Sequence, residues 1–209
     1  MKIVIPAFNE GKTIGNVVKA AIRFGAVIVV DDGSADDTIT EAETCGALVL
    51  PMKKNQGYEA SLISGLEFAV NSCRRNSEII LCLDGDGEHP AEAIMNVAKV
   101  TRISDLVIGK RSRLNRFAEH LGSYYSIVRY GIPDPFCGMR AFKVGFLRQF
   151  LDSACGYNLG LGPIAFAKSS NKNVSSVPIE VGARVDVSRF GAGLLPNMKL
   201  MRSIIQDLV

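Results

Sequence analysis

Five short runs, KIVIPA (2–7), AVIVVDD (26–32), ALVLP (47–51), EIILCLD (78–84) and DLVIG (105–109), are continuous in Val, Ile and Leu. A strand with one wet face alternates apolar and polar residues. A continuous run belongs to a parallel strand covered on both faces. Helical patterns stand between the runs. Residues 11–24 place Ile14, Val17, Val18, Ala21 and Ile22 on one face. Residues 36–46 carry acids in the first turn and Gly46 at the end, and residues 57–73 carry Leu62, Leu66, Ala69 and Val70. Pro90 suits the first position of a further helix. This repetition predicts an α/β fold, an open and mainly parallel sheet flanked by helices. Beyond residue 110 the pattern is less regular, with helices expected near 115–130 and 143–152, a strand in 173–181 and an amphipathic helix over 198–208. No repeat or linker interrupts the chain, so residues 1–209 are expected to form one domain.

In such a sheet, ligands bind beyond the carboxyl ends of the strands. Here those ends are polar: PAFNE, DDGSADD, DGDGEHP and GKRSR. One rim would then receive Asn9, Glu10, Asp31, Asp32, Asp84, Asp86, Glu88, Lys110 and Arg111. Acids and bases so close together are satisfied jointly by a cation that arrives on a diphosphate. Mg²⁺ or Mn²⁺ takes carboxylate and phosphate oxygens, and arginine presents phosphate with a planar fork of donors.

Other readings of the same residues are weaker. Asp32–Gly33 alone makes a simple turn. Asp84, Asp86 and Glu88 match the start of an EF-hand loop, but that loop needs glycine where His89 stands and a helix before it. The stretch ending in DGDG also resembles the nucleophile motif of haloacid-dehalogenase-type phosphatases. Those enzymes need Thr where Glu88 stands and carry the motif on their first strand. His89 is read as a solvated or capping residue, and Lys110, Arg113 and Arg116 as a solvated face. No G-x-G-x-x-G follows the first strand, which excludes a dinucleotide dehydrogenase, and PAFNEGK is not the Gly-rich, Arg-bearing loop of a sugar-nucleotide pyrophosphorylase. A net charge of +3 is too mild to argue for nucleic acid. The five cysteines include no CxxC pair, which fits a reduced, cytoplasmic setting better than zinc or a disulfide framework. No signal peptide precedes MKIVIPAF, and no stretch reaches the roughly 20 apolar residues of a membrane span.

Taken in order, IVIPAFNEGKTI (3–14), VIVVDDGSADDT (27–38), NQGYEASLISGLEFA (55–69) and LDGDGEHP (83–90) resemble the motifs of a family 2 glycosyltransferase with the GT-A fold. LVIGKRSR (106–113), DPFCGMRAFK (134–143) and VSRFGAG (187–193) resemble the subgroup of dolichyl- and polyprenyl-phosphate hexose synthases. The resemblance implies a nucleotide-binding half, 1–110, and an acceptor-binding half, 111–209. It implies an inverting transfer of a sugar from a nucleoside-diphosphate donor, with Mg²⁺ or Mn²⁺, to a lipid phosphate. Pro6, Ala7, Asn9, Glu10, Asp32 and Asp84 would line the nucleotide-sugar pocket. Asp86 would bind the metal with Glu88 at the second ligand position, where the subgroup often has Gln. Arg111 would meet the diphosphate, and Arg140 and Arg189 would lie on the acceptor side. Asp134 is the candidate general base for a hydroxyl acceptor on a saccharide or protein; an ionised phosphate acceptor needs none. A non-catalytic nucleotide-sugar binder is the rival from another class, and the intact Asp84, Asp86 and Arg111 speak against it. Processive polymer synthases carry a tryptophan motif, and this chain has no tryptophan. The last helix puts Leu195, Met198, Met201, Ile205 and Leu208 on one side, with Lys199 and Arg202 nearby, for either a membrane interface or the domain core.

Overall fold

A computed structural model describes residues 1–114, 116–153, 158–182, 204 and 207. The described residues form a mixed seven-stranded sheet flanked by helices. Strands β1 (Lys2–Ala7), β2 (Ala26–Asp31), β3 (Leu48–Pro51), β4 (Ile79–Cys82), β5 (Leu106–Arg111), β6 (Arg140–Lys143) and β7 (Val174–Ile179) lie in the order β3-β2-β1-β4-β6-β5-β7. Strands β1 to β4 pair in parallel, as do β5 and β7. Strand β6 runs antiparallel to both its neighbours, with Arg140 opposite Cys82 and Ile108.

The apolar runs are buried where expected. Ile3, Val4 and Ile5 of β1 and Val29 and Val30 of β2 are inaccessible to solvent. Strand β3 departs from the pattern: it lies at the sheet edge, where Leu48 is exposed. Helices α1 (Ile14–Ala21), α2 (Thr38–Thr44), α3 (Tyr58–Asn71) and α4 (Ala91–Thr101) join the early strands. Helix α1 buries Ile14, Val17, Val18 and Ala21, but ends before Ile22, which caps it and is exposed. Pro90 is the N-cap of α4 rather than its first residue. Helix α3 buries Leu62, Leu66, Ala69 and Val70, each leucine contributing about 1.5–3 kcal/mol. Gly65 permits this close packing, since a Cβ there would lie 2.5 Å from Val4 Cγ1 and 2.6 Å from Val30 Cγ2.

The later helices are α5 (Phe117–Tyr130), α6 (Val144–Asp152) and α7 (Gly162–Ser169). Strand β6 and α7 were not expected. RAFK is too short, and too basic at its ends, to announce a buried strand. Most of the final helix lies outside the described residues, including Leu195, Met198, Lys199, Met201, Arg202, Ile205 and Leu208. Its described Ile204 is buried in the core. Asp207 accepts hydrogen bonds from Tyr125 Oη at 2.7 Å and from Tyr130 Oη at 2.6 Å, which ties this segment to α5. No described helix is long and apolar enough to cross a membrane.

Candidate active site

The parallel register brings Ala7 beside Asp31, so the loops after β1 and β2 leave the sheet together. They are stitched to each other. The main-chain N–H of Asn9 donates to Ser34 Oγ at 2.7 Å, and that of Glu10 to Thr38 Oγ1 at 2.8 Å. Asn9 Oδ1 accepts from the N–H of Ala35 at 2.8 Å. Asn9 itself has φ 54°, a left-handed conformation that Asn tolerates better than most residues. Asp31 Oδ2 accepts from the N–H groups of Gly33 and Ser34, while its buried Oδ1 has no partner among the described residues. Asp32 is buried, and its two oxygens accept the N–H groups of Gln56 at 2.7 Å and Gly57 at 2.8 Å. Asp32 therefore fixes the turn that opens α3. Glu10 and the strand-four loop meet at Thr13, whose Oγ1 lies 3.1 Å from Glu10 Oε2 and donates to Gly85 O at 2.8 Å. Pro6 and Ala7 are buried at the end of β1, and a Cβ at Gly85 would sit 3.4 Å from the Pro6 carbonyl oxygen.

Asp84 follows β4 and is the meeting point of the two halves. It accepts from Tyr58 Oη at 3.0 Å and lies 3.3 Å from His89 Nε2. His89 is not solvated as expected: its side chain is only 2% exposed, and Nδ1 is buried without a partner among the described residues. Burial opposes charge on both groups. For Asp84, the His89 contact and charge and the Tyr58 hydroxyl outweigh burial and hold the carboxyl below its ordinary pKa. For His89, the Asp84 bond and charge, with Asp86 and Glu88 behind, outweigh burial and raise the imidazole. The Arg111 charge also acts on Asp84. From the other half, Gly138 packs so tightly that a Cβ there would lie 2.0 Å from Asp84 Oδ2.

After β5, Arg111 and Asp134 face each other. Arg111 Nε donates to Asp134 Oδ2 at 2.8 Å and Nη2 donates to Oδ1 at 3.0 Å. The Arg111 main-chain N–H adds a third bond to Oδ2, and Nη1 reaches Glu119 Oε1 at 3.2 Å. Burial works against the Arg111 charge, but the Asp134 bonds and the two acids outweigh it and raise the guanidinium pKa further. Two of its five N–H donors remain outside these side-chain bonds. Arg140 is buried, and its donors go to main-chain carbonyls: Cys137 O at 2.8 Å, Pro135 O at 2.7 Å, Gly160 O at 3.2 Å and Leu159 O. Arg140 thus braces the loop before β6 instead of presenting itself to a ligand. Arg189 lies outside the described residues.

Asp86 and Glu88 occupy a turn in which Asp86 Oδ1 accepts the Glu88 N–H at 3.1 Å. Among the described residues, no three His, Cys, Asp or Glu side chains converge on a point that would hold an ion. The two carboxylates of Asp86 and Glu88 are the kind of donor a hard cation takes when phosphate oxygens and water complete its shell. They are too few for a pre-built cage. The donor set of this turn fits Mg²⁺ or Mn²⁺ on those terms.

The rim thus gathers Pro6, Ala7, Asn9, Glu10, Asp32, Asp84, Asp86, Glu88, Arg111 and Asp134 at strand ends. Sequence reasoning missed Tyr58, His89, Glu119 and Gly138 as site residues. Tyr58 directly follows the Asn-x-Gly turn and Gly138 lies in DPFCGMRAFK, so both were signalled by position. Nothing local signals Glu119, which reaches Arg111 from the buried side of α5.

A fold with its polar groups at this rim is that of GT-A glycosyltransferases, and the comparisons agree. The family model for "Glycosyl transferase family 2" matches residues 2–149. This chain belongs to glycosyl transferase family 2. It is 26% identical over 217 residues to an undecaprenyl-phosphate mannosyltransferase of Micrococcus luteus, covering 92% of this chain and 88% of that protein. It is also 26% identical over 213 residues to a UDP-N-acetylglucosamine–dolichyl-phosphate N-acetylglucosaminyltransferase of Methanococcus voltae, with 85% and 84% covered. A crystal structure of glucosyl-3-phosphoglycerate synthase from Mycobacterium tuberculosis with Mn²⁺, UDP and glucosyl-3-phosphoglycerate superposes with a TM-score of 0.78 at 18% identity. The superposition covers 99% of this chain and 78% of that one, and it shows the shared fold.

Proposed function

We propose that this glycosyltransferase moves a sugar, with inversion, from a nucleoside-diphosphate donor to a polyprenyl phosphate. The observation that carries the acceptor is the state of Asp134. Both its oxygens are held by the Arg111 guanidinium, and one also accepts a main-chain N–H. To take a proton, Asp134 would have to release part of that clasp, so it is a poor general base. A hydroxyl acceptor needs a base; an ionised phosphate does not. The activities of the two sequence relatives, both acting on lipid phosphates, support the same reading.

In this mechanism the phosphate oxygen attacks the anomeric carbon from the face opposite the leaving group. Charge grows on the departing diphosphate. Arg111 would offer that charge its two remaining N–H groups, and fixed donors act most where charge develops. Asp86, with Glu88, would hold Mg²⁺ or Mn²⁺, which when bound neutralises diphosphate charge. Asp84, kept ionised and oriented by Tyr58 and His89, would accept hydrogen bonds from donor ribose or sugar hydroxyls. Asp32 and Asn9 shape the nucleotide loops through the main chain.

Incubation with a panel of nucleotide sugars and detergent-dispersed polyprenyl phosphate should give an anomerically inverted glycolipid. Transfer to a saccharide or protein hydroxyl alone would replace the acceptor. Asp86→Ala should lower transfer at least about 100-fold, with a Tm equal to or above wild type because acid crowding is relieved. A nucleoside diphosphate should raise Tm with Mg²⁺ or Mn²⁺ and not with a chelator; equal stabilisation in both would defeat the metal assignment.

A further inference from the structure

Glu119 is a buried carboxylate whose charge helix capping does not require. It stands in the first turn of α5 and is 5% exposed. Its Oε2 accepts the main-chain N–H of the N-cap, Arg116, at 3.1 Å. That cap takes an acceptor, not a charge, since glutamine serves at this position as glutamate does. Charge balance at Arg111 does not require it either. Asp134 already matches Arg111 one for one, through Nε at 2.8 Å and Nη2 at 3.0 Å. Arg116 Nη1 lies 3.9 Å from Glu119 Oε1 on a side chain 23% exposed, a pair too loose and too wet to offset the burial of an acid. What the charge does reach is Arg111 Nη1, which donates to Oε1 at 3.2 Å with both side chains largely buried.

A guanidinium has five N–H donors. Asp134 takes the one on Nε and one on Nη2, and Glu119 takes one on Nη1. A single N–H stays outside these bonds on each terminal nitrogen. Asp134 grips one edge of the fork, and Glu119 grips the remaining nitrogen and stops the plane from swinging about that edge. We propose that Glu119 is a positioning residue for transfer: it fixes the direction of the two remaining Arg111 donors, so that they meet the charge growing on the departing diphosphate. This rests on the reading that Arg111 serves that diphosphate. Donors already fixed act on the transition state more than on the bound nucleotide sugar, because nothing has to turn as charge develops. One carboxylate thus sets both the start of α5 and the aim of Arg111.

Two variants separate aim from capping. Glu119→Gln keeps an acceptor for the Arg116 N–H and loses the charge; Glu119→Ala loses both. On the UDP- or GDP-hexose that wild type turns over fastest, both should lower kcat about 10- to 100-fold, with KM for the nucleotide sugar within about threefold of wild type. Only Glu119→Ala should lower Tm. In an Arg111→Lys chain, whose ammonium has no fork to aim, Glu119→Gln should lower kcat by less than about threefold more. Four outcomes would overturn the proposal: wild-type kcat in Glu119→Gln, a loss that appears in KM instead, a Glu119→Gln chain that does not fold, or a loss that multiplies in full with Arg111→Lys. Should Arg111→Lys not fold, the kcat and Tm of the two Glu119 variants decide alone. If wild type forms no product with polyprenyl phosphate, the acceptor reading fails, and the same ratios are read from hydrolysis of the nucleotide sugar by water, which also releases the diphosphate. The two failures are therefore distinguishable: one lies in the wild-type product, the other in the ratio of variant to wild type.

Discussion

The two sides of the rim are built from opposite chemistry. Around β1 to β4, carboxylates accept main-chain N–H groups: Asp31 from Gly33 and Ser34, Asp32 from Gln56 and Gly57, Asp36 from Gly11 and Thr38, Asp86 from Glu88. Around β5 and β6, arginines do the holding: Arg140 donates to four carbonyls, and Arg111 to Asp134 and Glu119. The acids distribute the work over several short turns. Arg140 concentrates it in one guanidinium. The β1–β4 side should therefore fail piecemeal and the β5–β6 side all at once.

Arg140→Met puts this contrast under the greatest strain. It strips the partners from four carbonyls in the interior and should cost about 3–5 kcal/mol in urea unfolding, or prevent folding. A loss below about 1 kcal/mol would mean the loop before β6 has other support. Asp32→Ala comes next. It orphans two N–H groups at the start of α3 and should cost about 1–3 kcal/mol, with weakened nucleotide binding by calorimetry and a folded chain. Should Asp32→Ala prove as damaging as Arg140→Met, the distinction between the two sides collapses.

The smallest effect sharpens the link to the chain's end. Tyr125→Phe removes a hydroxyl bonded to Asp207 and should cost about 1 kcal/mol or less near neutral pH. Burial first, then the Asp207 bond and charge, raise the Tyr125 pKa to about 12 from 10.0. A raised folded-state value means the contribution is complete below the unfolded pKa and lost as pH climbs through the folded one. The Tm difference between wild type and Tyr125→Phe should thus hold up to pH 10 and shrink toward about 12. A difference flat across that window would show that the hydroxyl is not what ties Asp207 down.

The same contrast decides what could be read from the residues. The β1–β4 side was legible because each strand end and its turn are contiguous: AVIVVDDGS announces the strand, the acids and the Gly33 turn together. Even there, contact partners were hidden. Asp32 was expected to face a ligand, and its oxygens were found on Gln56 and Gly57, more than 20 positions away. His89 gave no sign of burial, because its shelter comes from the fold around Asp84. The β5–β6 side resisted reading for a topological reason. Strand β6 has four residues, begins with a buried arginine and runs backwards between β4 and β5, so no local periodicity marks it.

That reversal has a further effect. Since β6 points the other way, it is the chain entering this strand, residues 134–139, that arrives at the rim where the parallel strands end, while its exit leaves from the far end. The stretch is anchored by Arg140 at one end and by Arg111, through Asp134, at the other. Between these two pins the Met139 carbonyl accepts the Gly109 N–H and Gly138 has no room for a Cβ beside Asp84, so the path of the loop is set from within as well as from both ends.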